Sequence, residues 1–202
     1  MARRPVARRP VGRRLGRGVR PTAQKVRDAL FNSLGARVIG TEVLDLYAGT
    51  GALGFEALAR GARAAVFVER DPRLAESIRK RLAALGFHDR AEVWRAEVHP
   101  ALRRLSDAHR QFDLILLDPP YGREMLQDTL DALAAAPLLR VGTLIVAEGH
   151  WRETPRAPEG LVCTRESRYG ETGLWVFAIR SGEPREPRTD LEADGHRGGE
   201  EP

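Results

Sequence analysis

Residues 43–54 read VLDLYAGTGALG, and this stretch decides the fold because it joins a strand, a glycine turn and a helix start. Residues 43–47 form a mostly apolar run of strand length, and residues 52–60 follow with a helical pattern. Gly49 and Gly51 carry no Cβ, so the backbone between these segments can turn tightly and approach a ligand closely. A strand, a G-x-G-x-x-G turn and a helix in this order indicate a nucleotide-binding α/β unit. The turn alone does not identify the ligand, because it suits NAD equally well.

Strand and helix patterns alternate downstream of this unit. Asp71 and Pro72 open a long helix that runs to residue 85, with proline in the first turn where its missing N–H costs nothing. Strands are predicted at 64–68, 91–95, 113–117, 143–148, 161–167 and 174–179, and shorter helices at 100–105 and 124–136. This alternation predicts a doubly wound α/β fold with a mostly parallel sheet and a C-terminal antiparallel hairpin. Ligands in such folds lie at the carboxyl ends of the strands.

Upstream, Thr22 is placed to cap a helix. One face of that helix has the spacing expected for burial, with Val26, Ala29, Leu30, Ser33 and Leu34.

The charges divide the 202-residue chain into three parts. Residues 1–27 contain nine arginines, one lysine and no acidic residue, whereas the whole chain has 33 basic and 28 acidic residues. We therefore predict a basic Arg/Pro-rich arm at 1–19, a folded domain at 20–180, and an acidic, disordered tail at 181–202. The arm favours a polyanionic partner, although a solubilising segment is the alternative.

Several classes of function are disfavoured by composition. The longest apolar runs are only a few residues, so no membrane span is expected. The single cysteine, Cys163, cannot form an internal disulfide, which fits a cytoplasmic protein, and we expect it to be a small core residue on a strand. The five histidines lack the spacing of metal ligands, so no metal site is expected. Nothing in the sequence requires more than a monomer.

The carboxylates near the glycine turn favour S-adenosylmethionine over NAD. Asp45 lies inside the strand and could meet the ammonium of that cofactor, whereas a pyrophosphate would be repelled there; alternatively, Asp45 only ties down the loop backbone. Glu69 ends the next strand and could accept both ribose hydroxyls, or else is a solvated carboxylate. Glu97 could accept from the adenine amino group beside Val98, or else is a helix-start acid. The remaining residues predicted to line the cofactor site are Tyr47, Ala48, Gly49, Gly51, Gly54 and Arg70.

Asp118-Pro119-Pro120-Tyr121 follows an almost wholly apolar predicted strand and carries the most specific chemistry. An amino nitrogen on a base is a poor nucleophile because its lone pair is delocalised into the ring. The Asp118 carboxylate and the Pro119 carbonyl could bond its two hydrogens and direct the lone pair at a methyl group, while the prolines hold that backbone rigid. Tyr121 offers a face for stacking a flipped base, worth about 1–3 kcal/mol. The other interpretation is a strand-to-turn junction with an incidental acid.

Taken together, these segments resemble the RsmD family, bacterial enzymes that methylate N2 of guanine 966 in 16S ribosomal RNA. The resemblance rests on Arg20-Pro21-Thr22, Lys25-Val26-Arg27, Leu30-Phe31-Asn32, residues 44–54, Asp118–Tyr121 and Tyr169-Gly170-Glu171-Thr172. It implies a Rossmann-like class I S-adenosylmethionine methyltransferase domain with a seven-stranded sheet, acting on a small-subunit assembly intermediate. It also implies that Thr22 and Arg27 lie near the methionine end of the cofactor or near the RNA.

Two features depart from the family pattern. The repeat ARRPV at residues 2–11 replaces the apolar strand with which members usually begin, and Glu97 replaces a shorter Asp.

Two other functions remain open at this stage. A DNA adenine-N6 methyltransferase would use the same Asp-Pro-Pro-Tyr geometry, although the chain has no room for a separate domain that reads DNA. A non-catalytic RNA-binding assembly factor is the alternative from a different class, and the presence of both Asp118 and the glycines argues against it.

Overall fold

A computed structural model describes residues 21–120 and 123–180 as a seven-stranded sheet flanked by helices. The strands are β1 (Glu42–Leu46), β2 (Ala64–Glu69), β3 (Ala91–Arg95), β4 (Phe112–Leu117), β5 (Leu139–His150), β6 (Leu161–Tyr169) and β7 (Thr172–Ile179). The α-helices are α1 (Pro21–Leu34), α2 (Ala52–Ala59), α3 (Pro72–Leu85), α4 (Val98–Asp107) and α5 (Arg123–Ala135). The predicted arm, the predicted acidic tail and Tyr121 lie outside the described residues. No described helix is long and apolar enough to cross a membrane.

The sheet has the order β3-β2-β1-β4-β5-β7-β6, and β7 runs antiparallel to both of its neighbours. The predicted doubly wound, mostly parallel sheet with a closing hairpin is therefore confirmed. Side chains alternate between the two faces of the sheet. One face packs against residues of α1, α2 and α3, and the other against residues of α4 and α5.

The predicted start of α3 at Asp71 and Pro72 is confirmed. Asp71 is the N-cap, and its carboxylate accepts from the backbone N–H groups of Arg73 and Leu74. Pro72 occupies the first turn, and Gly86 ends the helix in a left-handed conformation that glycine adopts without steric cost.

Helix α1 differs from its prediction in two respects. It begins at Pro21, so Thr22 lies within the first turn and not at the cap position; its side chain is outside the described part. Val26, Leu30 and Leu34 are buried as predicted, but Ser33 is exposed while Phe31 and Arg27 are buried. The buried face is rotated because the large ring of Phe31 removes more apolar surface from water than Ser33 could.

Three further predictions need correction. Strand β5 extends beyond residues 143–148, because it pairs with β7 as far as His150–Thr172 and with β4 at Leu139. Helix α4 extends beyond 100–105 at both ends. Cys163 is exposed, not part of the core, because β6 is the outermost strand of the sheet and most of its central side chains are exposed.

Candidate active site

A pocket of about 1110 Å³ opens at the carboxyl ends of the central strands. Its lining includes Asp45, Glu69, Asp118 and Glu148, which lie in or just after β1, β2, β4 and β5. Ligand pockets commonly measure about 300–1,000 Å³, so this one has room for a nucleotide-sized cofactor together with a second reactant.

The turn after β1 has the tight geometry that its glycines predict. Gly49 and Gly51 have positive φ angles of 56° and 75°, and Tyr47 has a φ of 61°, which is unusual for a residue with a side chain. The Tyr47 hydroxyl lies 2.6 Å from Thr129 Oγ1, a hydrogen bond that ties the turn to α5. Gly51 also precedes α2 as its N-cap. The loop therefore crosses the pocket with its backbone exposed to a ligand.

Glu69 holds that loop in place. Its Oε2 accepts from the Gly49 N–H at 2.7 Å, and its Oε1 accepts from the Asp71 N–H at 2.8 Å. The carboxylate is buried, so the interpretation as a solvated strand end is wrong. Each oxygen retains a further lone pair, which leaves the predicted contact with ribose hydroxyls stereochemically open.

Asp45 is buried beneath the same loop. Its Oδ2 accepts from the Gly54 N–H at 2.9 Å, so this residue anchors the first turn of α2, directly after the glycine turn. Burial raises the pKa of Asp45 to about 7; the Gly54 hydrogen bond opposes the rise, and the charges of Asp118 and Glu69 add to it. A carboxylate desolvated in this way gains most from a cationic ligand.

The Asp118-Pro119-Pro120 segment comes directly after β4 and faces the same pocket. Pro119 is buried, whereas Asp118 and Pro120 are open to the pocket. Although Asp118 is accessible, the surrounding protein desolvates it and raises the pKa of its carboxyl to about 6. The next residue of the motif, Tyr121, lies outside the described residues.

Sequence reasoning missed Glu148, which lies beside Asp118. The strands β4 and β5 pair in parallel with Leu117 opposite Ala147. Asp118 and Glu148 are the next residues after this pair, so they lie side by side. Burial raises the pKa of Glu148 to about 7; the charge of Asp118 adds to the rise and that of Arg27 opposes it. The sequence offered one signal, because Glu148 ends a predicted strand. It did not show which strand would lie next to that one in the sheet.

The other residues predicted for the site differ in whether they line the pocket. Arg27 is buried and is close enough to Glu148 to influence its pKa, but it is not among the residues lining the pocket. Glu97 and Arg70 line the pocket rim, with Glu97 Oε1 3.6 Å from Arg70 Nη1. Glu97 occupies the N-cap position of α4 but makes no side-chain cap hydrogen bond. Ala48 and Val98 supply buried apolar lining.

The charge of the pocket restricts what it can hold. Among the described residues, nine acidic side chains and one arginine line it. Such a lining attracts a ligand that carries positive charge and repels a pyrophosphate. The described residues contain no group of side chains suited to holding a metal ion.

Comparison with known proteins yields a matching family and several similar chains. The family model described as "conserved hypothetical protein 95" matches residues 7–178. The chain is 36% identical to YlbH of Bacillus subtilis, covering 82% of this chain and 90% of that protein. It is 31% identical to ribosomal RNA small subunit methyltransferase D of Escherichia coli K12, covering 79% of each.

Solved structures agree on the architecture. The yhhF protein of Escherichia coli superimposes with a TM-score of 0.72 at 29% identity, covering 82% of this chain and 90% of that one. An RNA methyltransferase from Salinibacter ruber, solved in complex with S-adenosyl-L-homocysteine, superimposes with a TM-score of 0.61 at 20% identity and shares the fold. The superposition covers 82% of this chain and 97% of the Salinibacter ruber chain.

Proposed function

Because the chain belongs to the RsmD family, described as conserved hypothetical protein 95, we propose that it methylates the exocyclic N2 amino group of a guanine in small-subunit ribosomal RNA. The methyl donor is S-adenosylmethionine, and the acceptor is a base flipped out of the RNA. The substrate is the 16S RNA or an assembly intermediate of the small subunit, which implies a cytoplasmic enzyme.

One observation carries the proposal: an Asp-Pro-Pro turn and a glycine turn, from neighbouring parallel strands, face one acidic pocket. The glycine turn brings backbone close to a ligand, and the Asp-Pro-Pro turn brings hydrogen-bond acceptors to it. A cofactor and an amino group would therefore meet at the strand ends.

The residues present fit a cationic methyl donor. S-adenosylmethionine carries a sulfonium and an ammonium, and it supplies an activated methyl group when bound. Asp45 would interact with the ammonium side and Glu69 with the ribose hydroxyls, while Glu97 and Val98 would border the adenine. The net negative lining supports this assignment, because a dinucleotide pyrophosphate would be disfavoured there.

Asp118 is the catalytic residue of the proposal. Its carboxylate accepts a hydrogen bond from the target amino group, and the rigid Pro119 carbonyl accepts the second, so the nitrogen lone pair is directed at the methyl carbon. The N–C bond forms as the S–C bond breaks, the bonding pair remains on sulfur, and one amino proton is released to a carboxylate or to water. The step needs orientation more than acid–base assistance.

The test compares the wild-type protein with Asp118→Ala in transfer of labelled methyl groups. Small subunits that lack the modification, naked ribosomal RNA, DNA and protein serve as parallel acceptors. We expect label in the subunit or its RNA, and a loss of at least about 10²-fold in the variant, the scale seen when one preorganised hydrogen-bonding group is removed. The affinity for S-adenosylmethionine should be nearly unchanged in the variant. Parallel loss of activity and cofactor binding would contradict the role of Asp118.

A further inference from the structure

We propose that Glu148 is the specificity-determining residue that selects guanine, by accepting a hydrogen bond from the ring N1–H while Asp118 accepts one from the exocyclic amino group. This inference rests on the function proposed above. It assigns a role to a residue that neither the glycine turn nor the Asp-Pro-Pro motif includes.

The sheet places the two carboxylates side by side. Parallel pairing sets Leu117 opposite Ala147, so Asp118, the first residue after β4, lies next to Glu148 of β5 at the same level of the sheet. Neighbouring strands are about 4.8 Å apart, and paired positions project from the same face of a sheet. Side chains two or four residues before these carboxylates point to the same face, and they pack in the core cluster that contains residues of α1. These side chains are Leu114 and Leu116 of β4, and Leu144 and Val146 of β5. Both carboxylates also line the pocket.

The hydrogen bonds of the four central carboxylates divide them into two pairs. Asp45 accepts from the Gly54 N–H, and Glu69 accepts from the Gly49 and Asp71 N–H groups. Within residues 21–120 and 123–180, no hydrogen bond engages the side-chain carboxylate of Asp118 or of Glu148. The first pair holds the glycine turn and the start of α2, whereas the second pair presents acceptors to the pocket.

Two adjacent acceptors match the Watson–Crick edge of guanine. That edge presents the N1–H and the N2 amino group as neighbouring donors, whereas adenine presents a bare N1 acceptor beside its N6 amino group. A carboxylate facing the adenine N1 would meet a lone pair and gain no hydrogen bond. Enzymes read flipped bases by hydrogen bonds to this edge, and a site built to bond a donor rejects analogues that lack it.

A bound base and cofactor would favour Glu148 in the ionised form that accepts hydrogen bonds. In the protein alone, burial and then the charge of Asp118 raise the pKa of the Glu148 carboxyl to about 7, and the charge of Arg27 from α1 opposes the rise. A donor on the bound base and a cationic cofactor both favour the ionised form.

The experiment uses 2-aminopurine, which has the exocyclic amino group of guanine but a bare N1. The guanosine that the wild-type protein methylates is located first and is then replaced by 2-aminopurine riboside in the smallest RNA or reconstituted particle that is accepted. We expect wild type to prefer guanosine by at least about 10²-fold in kcat/KM, since a buried polar group would be left unpaired by the analogue.

Glu148→Gln should lower that preference by at least about tenfold, because the amide can donate to the bare N1 of 2-aminopurine. Glu153→Gln is the matched control: it removes one acidic charge from the pocket lining but should keep the wild-type preference. Unchanged melting temperature and cofactor affinity would show that Glu148→Gln is folded.

The possible outcomes separate the two proposals. If wild type and Glu148→Gln discriminate equally between the two bases, Glu148 does not select guanine, although the methyltransferase function stands. If both glutamine variants lose discrimination equally, the effect is one of pocket charge and the inference is wrong. If wild type transfers no methyl group to any guanosine, the proposed function itself fails, and the inference fails with it.

Discussion

The four carboxylates at the strand ends have different roles, because two accept hydrogen bonds from the backbone and two are open to the pocket. Glu69 accepts from a backbone N–H of the glycine turn and Asp45 from one in the first turn of α2, so they fix this segment before any ligand binds. Asp118 and Glu148 face the pocket from adjacent strands. Sequence reasoning identified Asp45, Glu69 and Asp118 from local signals: Asp45 precedes the glycine turn, Glu69 ends the next strand, and Asp118 begins the Asp-Pro-Pro-Tyr motif. It missed Glu148 because its significance comes from its neighbour in the sheet, which the chain order does not specify.

At the scale of a single residue, Asp45→Asn tests how much burying an ionised carboxylate lowers the free energy of unfolding. The pKa of Asp45 is raised to about 7 from 3.8, so the folded state binds a proton more tightly than the unfolded chain. Stability is therefore lost as the pH rises from about 4 to 7, and asparagine, which can still accept from the Gly54 N–H, should remove this loss.

Thermal unfolding without cofactor, followed from pH 5 to pH 8, provides the measurement. We expect the difference in melting temperature, Asp45→Asn minus wild type, to increase with pH. At pH 8 the variant should bind S-adenosylmethionine more weakly than wild type does. A stability difference that stays constant across this range would show that Asp45 is not the titrating group.

At the scale of secondary structure, the sequence located all seven strands and the five α-helices, but it located their ends less well. Apolar alternation and capping signals are local, so β3 and α3 were predicted with the observed bounds. The length of β5 depends on pairing with β7, and the exposure of Cys163 depends on the edge position of β6. The buried face of α1 likewise depends on what packs against Phe31. These are tertiary contacts, which periodicity does not encode.

The packing of α2 against the sheet predicts that Gly54→Ala is destabilising. A Cβ at this position would lie 2.7 Å from Phe67 Cζ and 2.9 Å from Asp45 Oδ2, so the helix or the ring must move. We expect a loss of about 1–3 kcal/mol in the free energy of unfolding, measured by chemical denaturation.

Gly149→Ala is the matched control for this substitution. Its added Cβ would meet Leu126 and Trp175 at 3.4 Å, an ordinary contact that demands little movement. Equal destabilisation by both substitutions would mean that close packing at Gly54 is not the cause.

At the scale of the whole molecule, the acidic pocket contrasts with the basic first residues of the chain. Helix α1 runs from the pocket side, where the charge of Arg27 acts on Glu148, to Leu34 near the amino ends of the central strands. The described chain therefore begins on the pocket side. The pocket is acidic, and residues 28–202 have 23 basic against 28 acidic residues, so the basic charge that RNA requires is concentrated in residues 1–27.

Deletion of residues 1–19, which contain seven arginines, should weaken RNA binding. It should also flatten the dependence of log affinity on log salt, by about 0.7 for each phosphate of single-stranded RNA that the arm would otherwise neutralise. Cofactor affinity should not change, because the residues proposed to bind it lie within the folded domain. RNA affinity and salt dependence identical to wild type would show that this segment is not a docking element.

The chemical identity of the methylated nucleoside tests the proposed methylation of guanine N2. Small subunits lacking the modification are incubated with the protein and labelled S-adenosylmethionine, and their RNA is digested and analysed by chromatography and mass spectrometry. We expect the label to appear as N2-methylguanosine. Label in N6-methyladenosine, or no label in RNA despite cofactor binding, would contradict it.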